Sequence, residues 1–134
     1  MEVSSAQQLL QEIFAPWVRE LNLQVQRCGG GGEVELRLPF DRKLTHVAGV
    51  ICGQVYMAAA DTAMVLAISS ALGGFRPMTT VALNTSFLRP VSDGDVAITA
   101  RVLRQGKNLV YGEIELAGPD GKLAAHATTT YALL

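Results

Sequence analysis

Apolar and polar positions alternate along this chain with two different periods, and each change of period marks an element. Leu9, Leu10, Ile13, Phe14 and Trp17 recur at helical spacing, which predicts a first helix capped by Ser4 or Ser5. Pro16 ends or kinks that helix, or opens a second short turn. From Leu21 to Arg27 apolar and polar residues alternate as in a half-buried strand. Val34, Leu36 and Leu38 do the same against Glu33, Glu35 and Arg37, with Gly29–Gly32 as the turn of a hairpin. Pro39 to Ile51 is a connecting segment. Polar positions then almost vanish between Gly53 and Leu72, where helix-favouring Ala and aliphatic residues run nearly all round the helix axis. Gly73-Gly74 stops this long helix. The period returns to two in Thr79–Leu88, in Val96, Ile98, Ala100 and Val102, in Leu109–Leu116 and in Leu123–Leu133. Turns at Arg89-Pro90, Gly106-Lys107-Asn108 and Pro119-Asp120-Gly121 separate these runs.

A helix that is apolar on most sides needs cover on most sides, and a twisted antiparallel sheet curling around it supplies that cover. The expected class is therefore α+β: a hotdog fold, with an antiparallel β-sheet wrapped around a long central helix. A length of 134 residues fits one such domain, residues 1–134, with a sizeable core. Only 17% of residues are charged and the net charge is −1, with the basic residues scattered, so no nucleic-acid partner is expected. Two cysteines, Cys28 and Cys52, form neither a disulfide framework nor a zinc motif, and no metal or other cofactor is expected. The N-terminal residues lack the basic and apolar regions of a signal peptide, which makes the cytoplasm the expected location. The segment 54–72 is long enough to span a membrane, but Asp61 near its centre favours a buried helix and no membrane partner.

Asp61 is the one formally charged side chain between Lys43 and Arg76, with His46 counted neutral. A carboxylate on such a helix is costly unless it is paired, hydrogen-bonded or used, so it is the first candidate for chemistry. The alternative is a buried Asp fixed by backbone or by Thr62.

Several phrases carry a family resemblance. They are Ala60-Asp61-Thr62-Ala63-Met64 on the helix, Thr80-Val81-Ala82-Leu83-Asn84 and Ser86-Phe87-Leu88-Arg89-Pro90 on the next strand, Gly106-Lys107 in a turn, and the run from Gly121-Lys122 to Tyr131. Over residues 33 to 133 the chain resembles the PaaI-type (phenylacetate-pathway) acyl-CoA thioesterases of the hotdog superfamily. It departs from them at the start of the helix, where Cys52-Gly53-Gln54 replaces a His-Gly-Gly triplet, and at His46, where the family often has Asn. The resemblance implies thioester hydrolysis of an acyl-CoA substrate by a homodimer, which pairs further into a homotetramer in some members.

On that reading Asp61 is the base or nucleophile. Gly53 supplies a helix N-terminal amide that binds the developing oxyanion, or is simply a tight entry turn. Eight residues of helix separate the two, about 12 Å, so one thioester carbon cannot meet both within a subunit: either one of the two assignments is wrong, or Gly53 comes from a partner chain. Thr80 orients the attacking water. Gln54 and His46 are candidate donors near the carbonyl or the leaving thiolate, and Tyr56, Met57 and Met64 line the acyl pocket. Arg89, Arg104 and Lys107 are candidates for the CoA phosphates. Cys52 is a small helix-start residue before it is a nucleophile, and His126 reads as structural. No Gly-x-Ser-x-Gly elbow and no P-loop ending occur. Two rival readings remain: a non-catalytic acyl-CoA binder, and a hotdog dehydratase or hydratase that would pair His46 with Asp61.

Overall fold

The computed structural model describes residues 1–134. In chain order the elements are α1 (Val3–Glu12), α2 (Pro16–Arg19), β1 (Gln24–Gly29), β2 (Glu33–Leu38), a 3₁₀ turn (Arg42–Leu44), α3 (Gly53–Leu72), β3 (Met78–Phe87), β4 (Val96–Gln105), β5 (Leu109–Ala117) and β6 (Leu123–Leu133). The strands form one six-stranded sheet in the order β1-β2-β4-β5-β6-β3, and every pairing is antiparallel. β3 pairs with β6 and not with β4, so the segment 88–95 carries the chain from one edge of the sheet to its middle.

Local chemistry explains the departures from the sequence reading. Helix α1 begins at Val3 with Glu2 at its N-cap and no side-chain cap, so Ser4 and Ser5 fall inside its first turn. Pro16 opens α2 as its first residue, where the missing N–H costs nothing. Asn22 adopts a left-handed φ of 56°, which keeps Leu21–Leu23 out of the ladder and delays β1 to Gln24.

Helix α3 packs against the concave face of the sheet. Alternate residues of the strands supply that face: Val34, Leu36 and Leu38 from β2, Ile98 and Ala100 from β4, Ile114 and Leu116 from β5, and Ala125 and Ala127 from β6, all buried. Gly112 on β5 is where helix and sheet come closest. A Cβ there would stand 2.4 Å from Met64 Cε and 2.6 Å from the carbonyl of Arg101. The buried hydroxyls of Thr62 and Ser69 donate to the carbonyls one turn back, Ala58 and Val65. Gly73, at φ 79°, ends the helix, and the Gly74 amide donates to Ser69.

The two edges of the sheet differ. At the β1 edge the Gln7 side chain of α1 donates to the Leu23 carbonyl and accepts from the Val25 amide, as a neighbouring strand would. At the other edge nothing covers β3, whose residues are exposed or only partly buried throughout.

Candidate active site

From Thr62 to Ser69 every residue of α3 is buried, but its first half carries an accessible stripe of Gln54, Met57, Ala58 and Asp61. Asp61 ends that stripe. The Tyr131 hydroxyl on β6 donates to its Oδ1 at 2.5 Å, with the Asp61 main-chain oxygen 3.0 Å from the same hydroxyl. The Thr80 hydroxyl on β3 donates to the same Oδ1 at 3.0 Å. Thr80 and Tyr131 are cross-strand partners, so the two donors reach the carboxylate side by side.

A β-bulge makes this possible. Phe87 faces α3, and a residue seven positions away on a regular strand would point to the opposite side of the sheet. The register shift between Thr80 and Ala82 reverses the alternation and turns Thr80 toward the helix. Burial and the adjacent Asp61 carboxylate push the Tyr131 phenol well above the ordinary tyrosine range, which keeps it a donor. No Lys, Arg or His pairs with Asp61.

A second cluster lies at the N-terminus of α3. Cys52 is the N-cap and no side chain caps the helix, which leaves the Gly53 and Gln54 amides without an intrachain acceptor. Gly53 sits under the Phe87 ring, where a Cβ would be 3.2 Å from two ring carbons. Tyr56, one turn on, is 3% exposed and tilts against the same ring, with centroids 6.3 Å apart. Its hydroxyl has no hydrogen-bond partner, and burial raises its pKa. A cleft of about 400 Å³ opens here, lined by His46, Gly53, Tyr56, Phe87, Arg89 and neighbouring apolar residues. His46 Nδ1 accepts from the Ala48 amide, so in the neutral ring Nε2 carries the proton.

The structure therefore gathers the sequence candidates into two groups, Asp61 with Thr80, and Gly53 with His46, Tyr56 and Arg89. An unbroken α3 holds the groups apart. The remaining candidates scatter. Gln54 faces a different, apolar cleft with Trp17, Lys43 and Leu44, and Met57 lies exposed between the two groups. Met64 corrects the expected pocket wall: it continues the face of Met57, seven residues earlier, but that half of α3 is covered on every side and the side chain is fully buried against Gly112. Arg104 is level with Tyr111, Thr130 and Ala82 across the sheet, and Lys107 lies in the turn beyond it. Both are thus at the Asp61 end and not beside Arg89.

The Thioesterase superfamily model matches residues 48–125, from the entry to α3 as far as β6. The chain belongs to the thioesterase superfamily. Human acyl-coenzyme A thioesterase 13 is 29% identical over 101 residues, which are 74% of this chain and 71% of that protein. Thioesterase HI1161 of Haemophilus influenzae superposes with a TM-score of 0.88 at 25% identity, covering 100% of this chain and 91% of the other. The E. coli PaaI protein shares the fold, with a TM-score of 0.83 at 20% identity, covering 98% of this chain and 95% of the other. The expected hotdog fold is thus the observed one, and the protein is an enzyme of the thioesterase class. Within this superfamily member, Gly53, Asp61, Thr80 and Arg89 lie inside the matched segment, whereas His46 and Tyr131 lie outside it.

Sequence reasoning missed Tyr131 as a site residue. On β6 it shares the buried face with Ala125, Ala127, Thr129 and Leu133. A tyrosine among small and aliphatic residues facing the helix that bears Asp61 needs a partner for its hydroxyl, and that was the available signal.

Proposed function

We propose that the protein hydrolyses acyl-CoA thioesters at two composite sites of a homodimer, with Asp61 as general base and the Gly53 amide of the partner subunit as oxyanion donor. The observation that carries this reading is a carboxylate held only by hydroxyls, on an accessible helix stripe, next to an open sheet edge. Asp61 takes a proton from water as the water oxygen bonds to the thioester carbon, and the carbonyl electron pair moves onto its oxygen, where the amide receives it. When the intermediate collapses the C–S bond breaks, and the departing sulfur takes the proton back from Asp61. Thr80 donates to Asp61 through its hydrogen, and its lone pairs are left to seat the water.

The β3 edge supports the pairing. Val81 and Phe87 on it are 60% and 53% exposed, a border that an isolated protein leaves open to aggregation. Antiparallel pairing of β3 with its own copy about a two-fold axis brings the Thr80 end of one strand beside the Phe87 end of the other. That places each Asp61 group against a Gly53 group and closes the 12 Å gap along the helix. The dehydratase reading has no comparison behind it, since the matched family and the named relatives are thioesterases.

The test is thiol release from a panel of acyl-CoAs by the wild type and Asp61→Asn. Loss of the base lowers kcat by about 10²–10⁴-fold. Equal turnover by the two proteins removes Asp61 from the reaction. Tight acyl-CoA binding without hydrolysis by the wild type makes the protein a binder.

A further inference from the structure

The geometry points to Tyr131 as a positioning residue that fixes which oxygen of Asp61 reacts: with Oδ1 held by the phenol, Oδ2 is the atom that takes the proton from water. This rests on the thioesterase reading of Asp61 and deepens it.

Three observations carry the assignment. Both hydroxyls that reach the carboxylate, Tyr131 at 2.5 Å and Thr80 at 3.0 Å, go to Oδ1, and no donor within the chain engages Oδ2. No cation shares the task, so the orientation of the carboxylate depends on these two hydrogen bonds. The two donors differ in rigidity. Thr80 lies on the exposed edge strand, at a bulge, whereas Tyr131 lies on an interior strand flanked by β5 and β3, with 2% of its surface exposed. The tyrosine is the fixed point and the threonine the adjustable one.

A phenol that donates to a carboxylate oxygen does two things. It holds the side chain in one rotamer, and it stabilises the anion relative to the acid. Asp61 must stay ionised to accept a proton and must present a bare oxygen to the water. Tyr131 serves both needs without touching substrate. The Asp61 main-chain oxygen, 3.0 Å from the same hydroxyl, ties the phenol to the helix backbone as well as to the carboxylate, so the alignment follows α3 and not the side chain alone.

Tyr131→Phe removes one oxygen and keeps the ring in the core. We expect kcat to fall about 10- to 100-fold with KM within about two-fold, the loss of one hydrogen bond to a charged group. Read per folded active site, this fall in kcat with KM held is the signature, because a merely structural role would leave kcat per folded site unchanged. The groups facing Asp61 are Thr80 from β3 and Tyr131 from β6, so Thr80→Val should lower kcat in the same way by less. In an Asp61→Asn background Tyr131→Phe should add no further loss, since it acts through the carboxylate. An unchanged kcat per folded site, or losses that multiply in the double variant, would overturn the assignment. If Asp61→Asn alone keeps full turnover, the thioesterase reading of Asp61 has failed; if it is inactive while Tyr131→Phe matches the wild type, only this inference has.

Discussion

Two tyrosines on the helix–sheet interface have opposite fates. Tyr131 spends its hydroxyl on Asp61, whereas the Tyr56 hydroxyl is buried beside the helix N-terminus with no partner. A desolvated donor without an acceptor costs about 1–3 kcal/mol, so Tyr56→Phe should stabilise the free protein by that order in urea denaturation. If the substrate supplies the missing acceptor, the same change should raise KM or lower kcat, and steady-state kinetics on acyl-CoAs will show it. Both phenols titrate above the ordinary tyrosine range in the fold. The folded state therefore holds these protons more tightly than the unfolded chain, and stability is complete below about pH 10 and lost as pH rises beyond it. Melting curves between pH 8 and 11 should show a loss that Tyr131→Phe lessens. At this scale Asp61 and Gly53 stood out as candidates in the sequence because a lone charge and a helix start are conspicuous in an apolar run. Tyr131 was not, because alternation says which face a residue takes and nothing of what it meets there. Met64 failed for a related reason, since a helix apolar all round does not announce which side is open.

Among the elements, α3 and the strands could be read from period alone, and β6 falls on the expected Leu123–Leu133. The order of strands could not, because β3 and β6 are separated by two other strands in the chain, and no turn chemistry links them. Nor could the bulge at Thr80–Ala82, which depends on pairing with β6 and leaves no glycine or proline to mark it. The close contact of α3 with β5 gives the clearest stability prediction. Gly112→Ala places a methyl against both Met64 and the Arg101 carbonyl, and one of these is backbone that cannot step aside. A loss of about 1–3 kcal/mol is expected in chemical denaturation. Gly53→Ala meets only the edge of the Phe87 ring, which lies half exposed and can move. Its loss of stability should be the smaller of the two.

For the whole molecule, the proposed composite site would make quaternary state and turnover one measurement. Val81→Lys puts a charge on the open edge and should yield monomers in sedimentation with little residual hydrolysis. Mixing Asp61→Asn with Gly53→Val should restore part of the activity by subunit exchange, since each hybrid holds one intact pairing. Leu103, Leu109 and Tyr111 are exposed near the β4–β5 turn, and a further pairing of dimers there would cover them. The Gln7 amide that fills the place of a neighbour along β1 bears on assembly as well. Each copy thus has one border partly capped by a side chain and one open border. On the proposed pairing the first encounter uses up the open border of both, and growth along the sheet direction from that border ends at two.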